Sequence, residues 1–264
     1  MHIGASTANL YPMNTEDALD ALLRLGFREL EVFVNTESEI VPSFLRQLKE
    51  SIQAAGARVV SLHPYISGSE PYILYSAYER RYRDGLDIYA RLFEAASYLG
   101  AGLVVMHGDK AEGVLPVEES IARFEGVSDL GRTYGVTLAQ ENVVRFRASD
   151  NAYIAAMRRQ LGPKAAFVFD LKQCRRCGHR PEDVVAAMGS ALVHVHISDN
   201  DARRDCLPPG KGAVDYDSLF RLLASVGFDG PIVLELYRTN FERESELADA
   251  KRLLEDAVSR VKMP

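Results

Sequence analysis

Cysteine is scarce in this chain. Three in 264 residues, an odd number, make no disulfide framework and predict a reducing cytoplasm as the home compartment. No run of about 18 apolar residues occurs, so no membrane-spanning helix is expected. The opening Met1-His2-Ile3-Gly4-Ala5 lacks the basic segment followed by an apolar one that marks a secretory leader. Positive charge is in deficit, with 31 Lys+Arg against 37 Asp+Glu and a net charge of -6. Phosphate-binding surfaces are usually basic, so this balance speaks against nucleic acid as the main partner. No Gly-x-Gly-x-x-Gly fingerprint follows an early strand-like run, which disfavours an open dinucleotide-binding sheet. No Pro/Ser-rich linker breaks the chain, and residues 1–264 read as one domain.

What is present is ordinary globular composition, 47% hydrophobic and 26% charged, which excludes disorder, collagen and coiled coil. Short apolar runs recur at Ile3–Ala5, Leu30–Val34, Val59–Leu62, Leu103–Met106, Val136–Ala139, Ala166–Leu171, Leu192–Ile197 and Ile232–Leu236. Between them lie stripes of helical period, such as Ala18, Leu19, Leu22, Leu23 and Leu25, or Phe44, Leu45, Leu48 and Ile52. Asn14-Thr15-Glu16-Asp17 reads as a helix start and Leu25-Gly26 as its stop, and Ser43 is the expected cap of the second helix. Gly56, Gly100, Gly135 and Gly227 each stand shortly before a strand, where a helix must end. Dividing 264 residues by eight runs gives about 33 per unit, the size of a strand-helix repeat. Runs apolar throughout imply a parallel sheet covered on both faces, and eight such units close into a single (β/α)8 barrel of the α/β class.

That fold makes a prediction about chemistry, because its active sites lie at the C-terminal ends of the strands. The second run carries Glu31, and the third ends in His63. The fourth ends in His107-Gly108-Asp109, the fifth in Glu141-Asn142 and the sixth in Asp170. The seventh ends in His196-Ile197-Ser198-Asp199 and the eighth in Glu235. One buried histidine is ordinarily a hydrogen-bonded core residue, and one strand-end glutamate a cap. Together these side chains converge on one mouth, where several partly buried carboxylates repel unless neutralised. A divalent cation held by Glu141, Asp170, His196 and Glu235 is the economical solution. Three carboxylates and one imidazole suit Mn²⁺ best, with Mg²⁺, Co²⁺ or Zn²⁺ as alternatives, in the role of a Lewis acid. His194, two residues before His196, faces the same way one layer deeper.

The motifs resemble the xylose-isomerase-like barrels, which include sugar epimerases and the AP endonucleases of the endonuclease IV type. The similarity is carried by Leu103-Val104-Val105-Met106-His107-Gly108, Leu138-Ala139-Gln140-Glu141-Asn142 and Phe169-Asp170. It continues in His194-Val195-His196-Ile197-Ser198-Asp199-Asn200, Pro209-Gly210-Lys211-Gly212 and Gly227 through Glu235. The resemblance to the ketose 3-epimerase branch implies the same four ligands, with Glu141 and Glu235 also serving as an acid/base pair through a cis-enediolate. His63, His107 and Glu31 are expected to bind or orient substrate, and Gln173 and Arg203 are substrate-binding candidates at or beside positions that the branch uses for substrate. The endonuclease branch needs further histidines where this chain has Gln173 and Asp205-Cys206-Leu207. That departure argues against a trinuclear zinc site and a DNA-repair hydrolase, whereas an inosose-type dehydratase shares the metal and enediolate steps. Gln173 also stands where the epimerases often carry histidine, and their arginine position falls on Ala202 with Arg203 following.

Three side features remain. Lys172, Arg175, Arg176, Arg180, Arg203, Arg204, Lys211 and Arg238 fall in loops expected at the mouth, where they read as solvated charge or as a seat for an anionic carbohydrate. Cys174 and Cys177 have CxxC spacing, with Cys206 in the next loop, and read as ordinary reduced thiols. Tyr65, Tyr72, Tyr75, Tyr78 and Tyr82 form a lid, a helix packed on the barrel, or the contact of a homo-oligomer.

Overall fold

The computed structural model describes residues 1–261. Eight strands, β1 (His2–Ser6), β2 (Glu29–Phe33), β3 (Arg58–His63), β4 (Leu103–Met106), β5 (Thr137–Glu141), β6 (Phe167–Asp170), β7 (Leu192–Ile197) and β8 (Pro231–Leu234), form a closed barrel in chain order. Every neighbouring pair is parallel, and β8 closes on β1 through Ile3 opposite Ile232. This is the expected (β/α)8 barrel; the limits of β4 and β7 coincide with the sequence reading, and the others differ from it by one or two residues.

Strand alternation explains where the polar groups go, since residues two apart share a face. A small cluster of Leu103, Val105, Ala139, Ala166 and Val168 is separate from the main core. Continuing each of these rows toward the C-terminal end gives His107 just past β4, Glu141 on β5 and Asp170 on β6. The same face is therefore apolar at the bottom and ionisable at the top. The opposite face, with Val104, Met106, Leu138, Phe167 and Phe169, joins the large core shared with the helices.

The helix Thr15–Arg24 begins after Asn14 as expected, although Asn14 makes no side-chain cap bond. The second helix corrects one expectation: it spans Pro42–Ala54 behind Val41, so Ser43 lies inside its first turn. Proline at the first helical position needs no amide partner and presets φ, and that fixes the start two residues earlier. Gly56, Gly100, Gly135 and Gly227 all adopt the left-handed conformation that ends a helix. No helix among the described residues is long and apolar enough to cross a membrane.

Candidate metal centre and active site

The top of the barrel brings Glu141, Asp170, His196 and Glu235 together. Each offers one ligand atom, and these atoms lie within 4.8 Å of one another. His196 Nδ1 is 3.6 Å from Glu141 Oε1, 3.9 Å from Asp170 Oδ2 and 3.6 Å from Glu235 Oε2. Register supplies part of this, because Asp170 pairs with His196 across the β6–β7 ladder. Glu235 stands just past β8, where its backbone N–H still donates to the Ile197 carbonyl at 3.1 Å.

The donor set fits a cation. Glu141 Oε2, Asp170 Oδ2 and His196 Nδ1 are buried, and among the described residues none of them makes a well-directed hydrogen bond, although His107 and Lys172 stand close to the two carboxylates. Each buried polar atom left unsatisfied costs about 1–3 kcal/mol. A divalent ion among them would satisfy all three at once. Burial pushes the Asp170 carboxyl up to about 7, and the neighbouring Glu141 and Glu235 carboxylates add to the rise against Lys172 and His196. Burial also opposes the charge on Glu141, but the close imidazoles of His107, His196 and His63 outweigh it and hold that carboxyl well below the usual range.

Glu141 is shared with a second group of donors. His107 Nε2 is 3.2 Å and His63 Nε2 3.7 Å from Glu141 Oε2. His63 and His107 pack edge to face at 5.1 Å, and His63 stacks on Phe33 at 4.6 Å. Both histidines therefore stand beside Glu141 at the top of the barrel.

Glu31 is placed differently from a substrate contact. It is wholly buried beneath His196, and its Oε2 meets His196 Nε2 at 3.1 Å, His194 Nε2 at 3.4 Å and the Ser61 hydroxyl at 2.7 Å. Burial raises its pKa, yet His196 and His194 more than compensate and hold it well below normal. Glu31 thus turns His196 so that Nδ1 faces the other carboxylates. Gln173 lies beside the cluster: its backbone N–H donates to Asp170 Oδ1 at 2.8 Å, and its side-chain oxygen accepts from Val144 at 3.3 Å. Arg203 is exposed in the loop after β7, apart from the cluster.

Three residues do work that the sequence did not assign to them. Lys172 is buried, 2.7 Å from Glu235 Oε2 and 3.3 Å from Asp170 Oδ2. Its spacing from Asp170 was visible, but its loop position suggested solvent. Glu70 is buried and accepts from Tyr89 Oη and from the Gly108 amide, both at 2.6 Å, so it holds the turn after His107. Gln140 donates to the carbonyls of His107 and Glu141 at 2.7 and 3.0 Å, fixing both site strands from behind.

Part of the expected basic mouth is engaged within the chain. Asp199 spends its carboxylate on the amides of Gly210, Gly212 and Val214 at 2.9, 3.0 and 3.0 Å, so the Gly210-Lys211-Gly212 turn has no free donors for phosphate. Arg238 donates to the Phe241 carbonyl at 2.8 Å, while Arg180 and Lys211 are exposed and only loosely face Glu182 and Glu246 at 3.4 and 3.9 Å. Cys174 and Cys206 are buried free thiols outside the donor clusters, and burial pushes them up to about 12 and about 11. Tyr75 is buried with its hydroxyl on Met106 Sδ at 3.3 Å, while Tyr72 and Tyr78 are exposed.

The family model described as xylose isomerase-like TIM barrel matches residues 19–257. The chain belongs to that family. An uncharacterized protein of Mycobacterium leprae (strain TN) is 27% identical, with 94% of each chain covered. The inosose isomerase of Bacillus velezensis is 26% identical, covering 69% of this chain and 71% of that one. The crystal structure of a D-psicose 3-epimerase from Clostridium cellulolyticum H10 superposes with a TM-score of 0.82 at 16% identity, over 98% of this chain and 99% of the other, a likeness of fold.

Proposed function

We propose that the protein is a metal-dependent isomerase or epimerase of a small carbohydrate carbonyl compound, a ketose or an inosose, acting through a cis-enediolate. The observation that carries this reading is the convergence of Glu141, Asp170, His196 and Glu235, with three buried ligand atoms that make no well-directed hydrogen bond among the described residues. Family membership and the inosose isomerase relative support it. Those four side chains would hold one divalent ion, Mn²⁺ in preference to Mg²⁺, Co²⁺ or Zn²⁺ by the share of oxygen donors. When bound, the ion supplies a Lewis acid that offsets charge growing on the substrate's oxygens.

The chain's own residues do the rest. Glu141 and Glu235 come from β5 and the end of β8, so a carbon placed between them meets a carboxylate on each side. One glutamate removes the proton next to the carbonyl, and the other returns a proton on the opposite face or at the adjacent carbon. His107 and His63 point their Nε2 atoms at Glu141 and stabilise its ionised form, ready to accept. Lys172 performs the same service at Glu235.

The test is a panel of ketoses, inososes and sugar phosphates incubated with protein and Mn²⁺, with products resolved by NMR. Metal analysis of the same sample should find one divalent ion per chain. Three zinc ions per chain, or no conversion of any carbonyl substrate, would overturn the reading.

A further inference from the structure

Four arginines of the expected basic loops gather at one place. Arg175 and Arg176 follow β6, Arg203 and Arg204 follow β7, and all four line one cavity of about 630 Å³ with Asp205, Leu207, Thr239 and Asn240. These residues belong to the loops after β6, β7 and β8, so the cavity opens on the same end of the barrel as the metal centre. A single aromatic ring joins the two. Tyr237 accepts from Arg176 Nη1 at 2.9 Å, and its ring lies 5.2 Å from the Lys172 ammonium, which bonds Glu235.

The charges in the cavity are unequally committed. Arg176 grips Asp205 through Nε and Nη2, and Arg204 grips Asp201 in the same two-pronged way. Arg175 spends one nitrogen on the Asn200 side chain at 2.6 Å. Among the described residues the Arg203 guanidinium has no partner; only its backbone N–H is engaged, with Asp201. Four guanidiniums against the carboxylates of Asp201 and Asp205 leave an excess of two positive charges.

We propose that this cavity seats a phosphate monoester at the end of the substrate remote from the metal centre, held by Arg175 and Arg203. A phosphate monoester carries about −1.5 to −2 charge at neutral pH with three strong acceptor oxygens, which matches the excess; a carboxylate would neutralise only half of it. Guanidinium forks bind such oxygens in pairs, and Arg176 and Arg204, locked by their aspartates, form fixed walls. The substrate class then narrows to phosphorylated ketoses or cyclitols. This rests on the isomerase reading, which it refines.

The experiment is calorimetric titration of inorganic phosphate, and separately acetate, into Mg²⁺-loaded protein at low ionic strength. One phosphate per chain is expected, with acetate at least tenfold weaker. The Arg175→Ala/Arg203→Ala double variant should lose phosphate affinity tenfold or more. If that variant fails to fold, Arg203→Glu, a change at an exposed and unpaired side chain, should show the same loss. Equal phosphate affinity in wild type and variant would overturn the proposal, as would acetate binding as tightly as phosphate. Binding is read without turnover. Absent carbonyl chemistry with intact phosphate binding therefore refutes the isomerase reading alone, and the reverse result refutes only the phosphate seat.

Discussion

The Lys172 ammonium donates to Glu235 at 2.7 Å inside the carboxylate cluster. It is a built-in cation, and it also lies 3.3 Å from Asp170. Burial works against its charge, but Asp170 and Glu235 hold its pKa well above the usual value. Lys172→Met should therefore lower the stability of metal-free protein by about 3–5 kcal/mol, the cost of stripping one partner from a buried ion pair. Mn²⁺ should recover more stability in the variant than in wild type, because less positive charge opposes the ion. Urea melts with EDTA and with Mn²⁺ check both statements, and unchanged stability in EDTA would refute the first.

Asp170 sets a pH dependence. Its carboxyl rises from 3.8 to about 7 on folding, so the folded chain keeps a proton that the unfolded chain has lost. The stability it contributes is present below about 4 and is lost as pH rises through about 7. In EDTA, wild type should lose ground to Asp170→Asn between those limits and then level off. Mn²⁺ binding should release a proton below pH 7 and tighten as pH rises. Thermal melts of both proteins across that range, with proton uptake from calorimetry in two buffers, supply the check.

Glu31 acts on the centre through His196. Glu31→Gln keeps an oxygen near Nε2 but removes the charge that fixes the ring, and partners behind a ligand are worth about 10–100-fold in metal affinity. A Mn²⁺ titration should show that loss. An unchanged dissociation constant would mean that His196 is oriented by something else.

Gly108 sits at φ 83°, and a Cβ there would lie 2.5 Å from Gln140 Oε1. Gly108→Ala should cost about 2 kcal/mol or more, from left-handed strain and overlap together. It should also disturb His107, because Gln140 carries the His107 carbonyl. The urea midpoint measures the first effect.

The barrel was legible because strand spacing, glycine stops and apolar runs agree in this chain. The four converging donors were legible for one further reason: each lies at a strand end, where topology alone fixes position. Glu31 was harder to read, since a mid-strand glutamate reveals its depth only through the partners above it, here His194 and His196. Lys172 was misread as a loop residue because sequence shows its distance from Asp170 along the chain but not the turn that folds it back under Tyr237. That Asp199 takes the amides of the Gly210-Lys211-Gly212 turn, eleven residues further on, was not legible either, because nothing in the chain order brings the two together. Arg203 remained exposed while its neighbours were paired, a distinction that only side-chain geometry draws.

The most direct test of the central claim is solvent exchange at carbon. In D₂O with Mn²⁺, a turned-over substrate should gain deuterium at the carbon next to its carbonyl, and EDTA should stop the exchange. Glu141→Gln should slow it by about 100-fold or more, the range expected for losing a general base. Product that forms without deuterium, or Glu141→Gln turning over at the wild-type rate, would contradict the account.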